Sequence, residues 1–405
     1  MCMECRGGRI LCGKSSCPIL AKAESLVTHL PNLRSDKIDG SSPPGAFVVH
    51  IGYPKVYLGP LIPPTKGDTQ ILDMPELWLG KSIQTIIDYR FSLVRGKSLI
   101  EVHDAADPSK YLLDIHDLAL SSASVEVDAK FRKKPRLAVS LSEDTQPFGP
   151  SALIENLQIS PTTGERKIEA VYYDGDELAV DGMSDLYHDG VEVSRIQRIL
   201  SLGMLGVQDQ RKVVPTRWSI TAVDDTLSKH LLESVRRYPT IDKFQVYTYR
   251  YLDNVYIAIL SPRNWEYECI EAWFPGTTWN ETGSIPAMMG DHEPYEGRTK
   301  YASIGGCYYS TRLAVNEALQ RMERQAAALV LREIRPGYIL PVGVWNVRES
   351  VRAAFKTKPL VFDTFQQAFQ SSCKELLIPP ETWVRNSRLI RNEIYQRRLN
   401  QYFAS

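Results

Sequence analysis

Net charge is what this chain most plainly lacks: 48 lysines and arginines stand against 48 aspartates and glutamates across 405 residues. With no bulk field, it cannot gather nucleic acid or anionic membrane by overall charge, so any such contact must use a local patch. Long apolar runs are also missing, and none approaches the roughly 18 residues that a bilayer span needs. The first residues are cysteines, arginines and glycines rather than an apolar signal core, which predicts a soluble cytoplasmic protein with no membrane partner. No glycine-rich run ends in Gly-Lys-Ser/Thr, so a phosphate-binding Walker loop is excluded. The pairs Gly203/Gly206 and Gly305-Gly306 lack the spacing that cradles phosphate. There is no internal repeat and no low-complexity tract.

What remains is ordinary globular composition, 43% hydrophobic and 24% charged. The length suffices for a sizeable core and two or three structural units. Cysteine is unevenly spread. Cys269, Cys307 and Cys373 are isolated, as buried small apolar residues usually are, whereas Cys2, Cys5, Cys12 and Cys17 crowd the first 17 positions. The spacing Cys-x2-Cys followed by Cys-x4-Cys, with Gly7, Gly8 and Gly13 between, suits a tight four-thiolate wrap around one structural Zn2+. Arg6, Arg9 and Lys14 would offset the charge of such a site. An iron–sulfur cluster and two disulfides are the alternatives, the latter disfavoured in a reducing cytosol.

The hydrophobic pattern predicts a mixed α+β fold without the βαβ alternation of a doubly wound sheet. Helices are expected over 76–95, from Arg195 to the glycines at 203 and 206, over 226–238 and over 361–377. Strands are expected at 46–53, 244–250, 255–260, 265–269 and 337–345, with an antiparallel meander through the middle three. A long helix is expected over 311–335, its arginines 321, 324, 332 and 335 on one stripe. The expected organisation is a zinc-binding segment (1–24), one large globular α+β core (40–377) and a C-terminal tail (378–405).

Three polar clusters are candidates for chemistry. Asp224 and Asp225 could hold a metal ion with Arg217 on a phosphate or nucleotide, although the plainer reading is a strand end and an N-cap aspartate. Asp291, His292, Glu293 and Tyr295, in a Gly/Pro-rich stretch read as a loop, could serve acid–base or metal chemistry. Asp68, Asp73 and Glu76 form a third acidic group. For nucleic acid, Lys130, Arg132, Lys133, Lys134 and Arg136 pack five positive charges around Phe131, a backbone-contact pattern beside the arginine stripe.

The last ten residues carry the sharpest motif. In one turn of tight helix, Leu399 and Tyr402 share a face, Phe403 stands beside them, and Gln396 precedes by a turn. This apolar plug with a polar hook resembles the PIP box, by which replication and repair proteins dock on the sliding clamp PCNA. The four cysteines, Ser41-Ser42-Pro43-Pro44, the string from His50 to Val56 (His-Ile-Gly-Tyr-Pro-Lys-Val) and that from Thr216 to Asp225 (Thr-Arg-Trp-Ser-Ile-Thr-Ala-Val-Asp-Asp) resemble the archaeal NreA proteins over nearly the whole chain. That resemblance implies DNA repair, a nucleoid-associated place of work, PCNA as partner through a flexible C-terminal peptide, and DNA as a further partner. It supplies no catalytic residue. A metal-dependent enzyme acting on nucleic acid or a nucleotide, and a non-enzymatic adaptor, are the competing readings. The oligomeric state is not legible.

Overall fold

The computed structural model describes residues 17, 20–21, 24–25, 35–135 and 149–395. Cys2, Cys5, Cys12, Arg136 and the clamp-like peptide at 396–405 lie outside them. The expected mixture of α and β is present. The described residues form two compact units, one within 18–227 plus Pro341–Gly343, the other from Ser228–Leu340 and from Val344 onward.

The first unit holds β1 (Lys37–Ser42), β2 (Ala46–Val48), β3 (Lys55–Ile62), α1 (Ile83–Ser92), β4 (Val94–Glu101), α2 (Lys110–Leu120), β5 (Val125–Phe131) and β6 (Ser151–Ile159). Then come α3 (Arg166–Tyr173), α4 (Ala179–His188), α5 (Val193–Ser201) and the start of α6 (Thr216–Val235). Its six strands run in the order β1-β5-β6-β4-β3-β2. In β5, Val125, Val127, Ala129 and Phe131 alternate inward with polar residues between, the period of a half-buried strand. They pack with Ile38, Ile62, Val94 and Leu118 into one apolar cluster.

The second unit holds β7 (Phe244–Tyr251), β8 (Asn254–Ser261), β9 (Glu266–Trp273), β10 (Ala287–Glu293), α7 (Gly306–Met322), β11 (Ala327–Ile334), α8 (Trp345–Ala354), β12 (Leu360–Phe362), α9 (Phe365–Cys373), α10 (Pro380–Asn386) and α11 (Arg388–Tyr395). Its sheet order is β10-β9-β11-β8-β7-β12. Every residue of β8 and β11 is buried, and alternation divides them between two cores. Tyr256, Ala258, Leu260, Ala328 and Val330 face α7 and α8. Val255, Ile257, Ile259, Leu329 and Leu331 face Phe365, Phe369, Trp383 and Leu389 of the last three helices. Strands buried on both faces need this double cover.

Several expectations are corrected here. The single helix over 311–335 is two elements: α7 stops at Glu323, which turns left-handed at φ 52°, and the chain returns as β11. The arginine stripe therefore does not exist. Arg332 is buried on Glu271 at 2.5 Å, and Arg335 pairs with Glu333 at 2.7 Å. The meander holds for β7 and β8, but β11 inserts between β8 and β9, parallel to β9. Residues 337–345 form no strand, and α8 begins at Trp345. Residues 380–395, expected to begin the tail, are two helices that bury Trp383, Leu389 and Ile390.

Candidate nucleic-acid interface

In the first unit, α5 collects two of the distinctive sequence strings and two of the acidic residues, Asp73 and Glu76. Arg195 is buried and donates to the carbonyls of Pro44 (2.7 Å) and Ser121, and burial pulls its guanidinium down to about 10. Ser42 Oγ donates to the Leu61 carbonyl at 2.9 Å, so Ser-Ser-Pro-Pro is a strand end held by buried bonds. Gly45 follows at φ +135°, with Arg198 Cδ lying 2.5 Å from where a Cβ would stand. Arg198 reaches on to Asp73 at 2.7 Å, and Arg90 meets the other oxygen of that carboxylate at 3.1 Å. Glu76 accepts from the Ser194 backbone and hydroxyl at 2.9 and 2.7 Å. Asp73 and Glu76 are thus committed to holding α5, and Asp68 accepts from Gln70 N–H at 3.0 Å and from the Ser124 hydroxyl at 3.4 Å.

The same helix fixes the Thr216–Asp225 string. That string is not a strand followed by an N-cap; helix α6 begins at Thr216, ten residues before the expected start. Asp224 is therefore inside the helix, fully buried, and accepts from Gln197 Nε2 at 2.9 Å. Asp225 is the next residue of the helix, only half-buried, so the two carboxylates differ in environment.

At the head of α6, Thr216 Oγ1 accepts from Val48 N–H at 2.9 Å and lies 3.1 Å from Ser201 Oγ, which itself donates to the Val214 carbonyl. These buried links pin the first turn of α6 to β2 and α5. Arg217 and Trp218 then point outward, Trp218 with 47% of its surface exposed. The turn between β2 and β3 presents the other string. Gly52 adopts φ +96°, its carbonyl accepts from Lys55 N–H at 3.0 Å, and the Pro54 carbonyl accepts from Val102 N–H at 3.0 Å. A side chain at 52 would strain this turn and crowd the Lys55 carbonyl. Tyr53, half exposed, lies with its ring centroid 5.2 Å from that of Trp218, at 52°. Ile51 and His50, just before Tyr53 in the chain, are exposed. Two strings about 160 residues apart in the chain thus meet in one surface pair of aromatic rings, with Arg217 adjoining Trp218 in sequence.

The other candidates fare differently. Lys130 pairs with Glu155 at 3.0 Å, while Arg132, Lys133 and Lys134 are exposed. In the second unit the presumed loop carrying His292 is strand β10, and alternation splits its residues between the faces. Asp291 takes Arg298 at 2.8 Å, and Glu293 takes Arg312 at 2.6 Å and the Tyr308 hydroxyl at 2.9 Å. His292, on the opposite face, meets Glu266 at 2.6 Å. Tyr295 gives its ring to Arg236, 5.1 Å away. No acid–base centre is assembled there. Among the described residues no group of three or more His, Cys, Asp and Glu is placed to hold a metal ion, and no helix is long and apolar enough to cross a membrane. Cys17, the one described member of its cluster, is half-buried.

Two family models cover most of the chain: archaeal Nre, N-terminal, over residues 11–280, and archaeal Nre, C-terminal, over residues 293–402. The chain is 42% identical over 391 residues to the DNA repair protein NreB of Archaeoglobus fulgidus, covering 96% of this chain and 97% of the relative. It is 37% identical over 377 residues to the DNA repair protein NreA of the same organism, covering 93% of each. To the DNA repair protein NreA of Haloferax volcanii it is 36% identical over 349 residues, covering 83% of this chain and 82% of the relative. No solved structure matches it. On family models and full-length relatives alike, the chain belongs to the archaeal Nre family.

Proposed function

We propose that this protein is a DNA repair factor recruited to the sliding clamp PCNA through its C-terminal peptide. Its relation to three proteins named for DNA repair, over 83–96% of its length, carries the repair role. The clamp partner rests on the peptide itself, with Leu399, Tyr402 and Phe403 as apolar anchors and Gln396 as polar hook. Tyr395, the last described residue of helix α11, is followed directly by that peptide. Cys2, Cys5, Cys12 and Cys17 hold one structural Zn2+, the donor set being four thiolates with no open coordination position. The body meets DNA through exposed groups of the first unit, among them Arg132, Lys133 and Lys134. Work at the cytoplasmic nucleoid follows from these partners.

Calorimetric titration of the clamp with the full chain and with a chain ending at Tyr395 tests the recruitment. The full chain should bind, and the shortened chain should lose binding while keeping its melting temperature. Equal affinity of the two would overturn the clamp assignment. Elemental analysis should find one zinc per chain, lost on Cys2→Ser with Cys5→Ser. The enzyme reading finds little support among the described residues, since Asp224 is buried against Gln197 and His292 is turned away from Asp291 and Glu293.

A further inference from the structure

We infer that Tyr53 and Trp218 form a stacking platform for an unpaired nucleobase, with Arg217 at the adjoining phosphate. The inference rests on the reading that the body meets DNA, and it names where and in what form. Three observations carry it. First, both rings are about half exposed although they touch each other, so each keeps a surface free for a third ring. Aromatic surface left in water beside Ile51, itself 70% exposed, costs solvation that a monomeric fold would ordinarily avoid. Second, the rings are held from behind. Thr216, Val48 and Ser201 fix the head of α6, and Gly52, Lys55, Pro54 and Val102 fix the turn, so the pair is preorganised rather than draped.

Third, the charge around the pair suits an anion. The first turn of α6 holds no acidic residue and carries Arg217. A cation there opposes the positive end of the helix dipole, where a carboxylate would be stabilising. Arg217 makes no ion pair among the described residues, and His50, three residues before Tyr53, is exposed. A phosphate set against this turn would be favoured by the dipole and by the guanidinium together. Flat apolar rings flanked by positive charge are what single-stranded or extruded bases need, since every base offers a π face and every nucleotide a phosphate. A paired duplex hides those faces. The platform therefore selects unpaired nucleotides: a single-stranded stretch, a bulge or a flipped base.

The test is fluorescence anisotropy with the full chain and three labelled oligonucleotides: single-stranded, perfect duplex, and duplex with one bulged base. Wild type should prefer the first and third. Trp218→Ala and Tyr53→Ala should each weaken those two by roughly five- to a hundred-fold, with duplex binding little changed. Trp218→Phe should keep binding within a few-fold while removing the tryptophan quenching that the single strand produces. Arg217→Gln should reduce the slope of log affinity against log salt by about one. Wild-type binding that survives both alanine changes would overturn the platform and leave DNA contact elsewhere on the body. A wild-type chain that binds none of the three oligonucleotides would overturn the body's DNA contact and the platform with it. Clamp binding, read separately, is untouched by either result.

Discussion

Gln197 Nε2 donates to Asp224 Oδ1 at 2.9 Å, and both side chains are buried. The bond joins α5 to α6 and fixes the helix that presents Trp218. An aspartate in that position is a structural acceptor. Asp224→Ala should destabilise the fold by about 1–3 kcal/mol, the cost of orphaning a buried donor. Urea denaturation measures it. A variant of unchanged stability that lost a nucleic-acid activity would instead make Asp224 part of a reaction centre.

The pair of Arg312 and Glu293 is nearly solvent-free, and Ser228 and Tyr308 share in its hydrogen bonds. Removing one partner strands the other charge. Glu293→Ala should cost about 3–5 kcal/mol, whereas the double change Glu293→Leu with Arg312→Met should recover much of it. Equal losses from single and double variants in chemical denaturation would show that packing, not charge, sets the cost.

His116 gives a pH dependence. It is buried, Nε2–H donates to the Leu202 carbonyl at 3.0 Å, and Nδ1 takes the Tyr172 hydroxyl at 3.1 Å. Burial pulls its pKa from the ordinary 6.5 to about 4. Between those values the unfolded chain binds a proton that the native state refuses. The stability held above pH 6.5 therefore drains away as pH falls to about 4, by on the order of 3 kcal/mol from this group. Melting curves of His116→Gln should be flatter than wild type across that window, and parallel curves would contradict the assignment.

Glu268 caps α11 from the neighbouring sheet, accepting from Ser387 Oγ at 2.6 Å and from the backbone of Arg388 and Leu389 at 2.8 Å each. Glu268→Ala leaves those amides without partners at a helix end. Hydrogen exchange across 388–395 should speed up by at least ten-fold. Unchanged protection would show that Leu389 and Ile390 hold the helix unaided.

Local pattern foretold α5, with its apolar spacing and glycine stop, and the presence of strand β9, although β9 is buried along nearly its whole length rather than on alternate residues. It failed where neighbours decide. Ala326-Ala327-Ala328 reads as helix by propensity, yet β11 lies between β8 and β9, and pairing on both edges overrides that preference. Thr216, Trp218, Ile220 and Thr221 read as extended residues, and α6 starts there because Thr216 is tied to Val48 and Ser201. The strings around Tyr53 and Trp218 were legible as distinctive text. Their meeting was not, because it depends on a turn and a helix end that only tertiary contacts bring within 5.2 Å.

The cap on α11 also sets a leash. Leu399 lies four positions beyond Tyr395, and no stretch of chain spans more than about 3.6 Å per residue. A clamp engaged through Leu399 would keep Tyr395 of α11 within roughly 15 Å of its docking pocket. Because Glu268 secures that helix to β9, the second unit would ride close against the ring rather than trail behind it. Length added after Tyr395, not affinity of the plug, would then be what widens the stretch of DNA within the protein's reach.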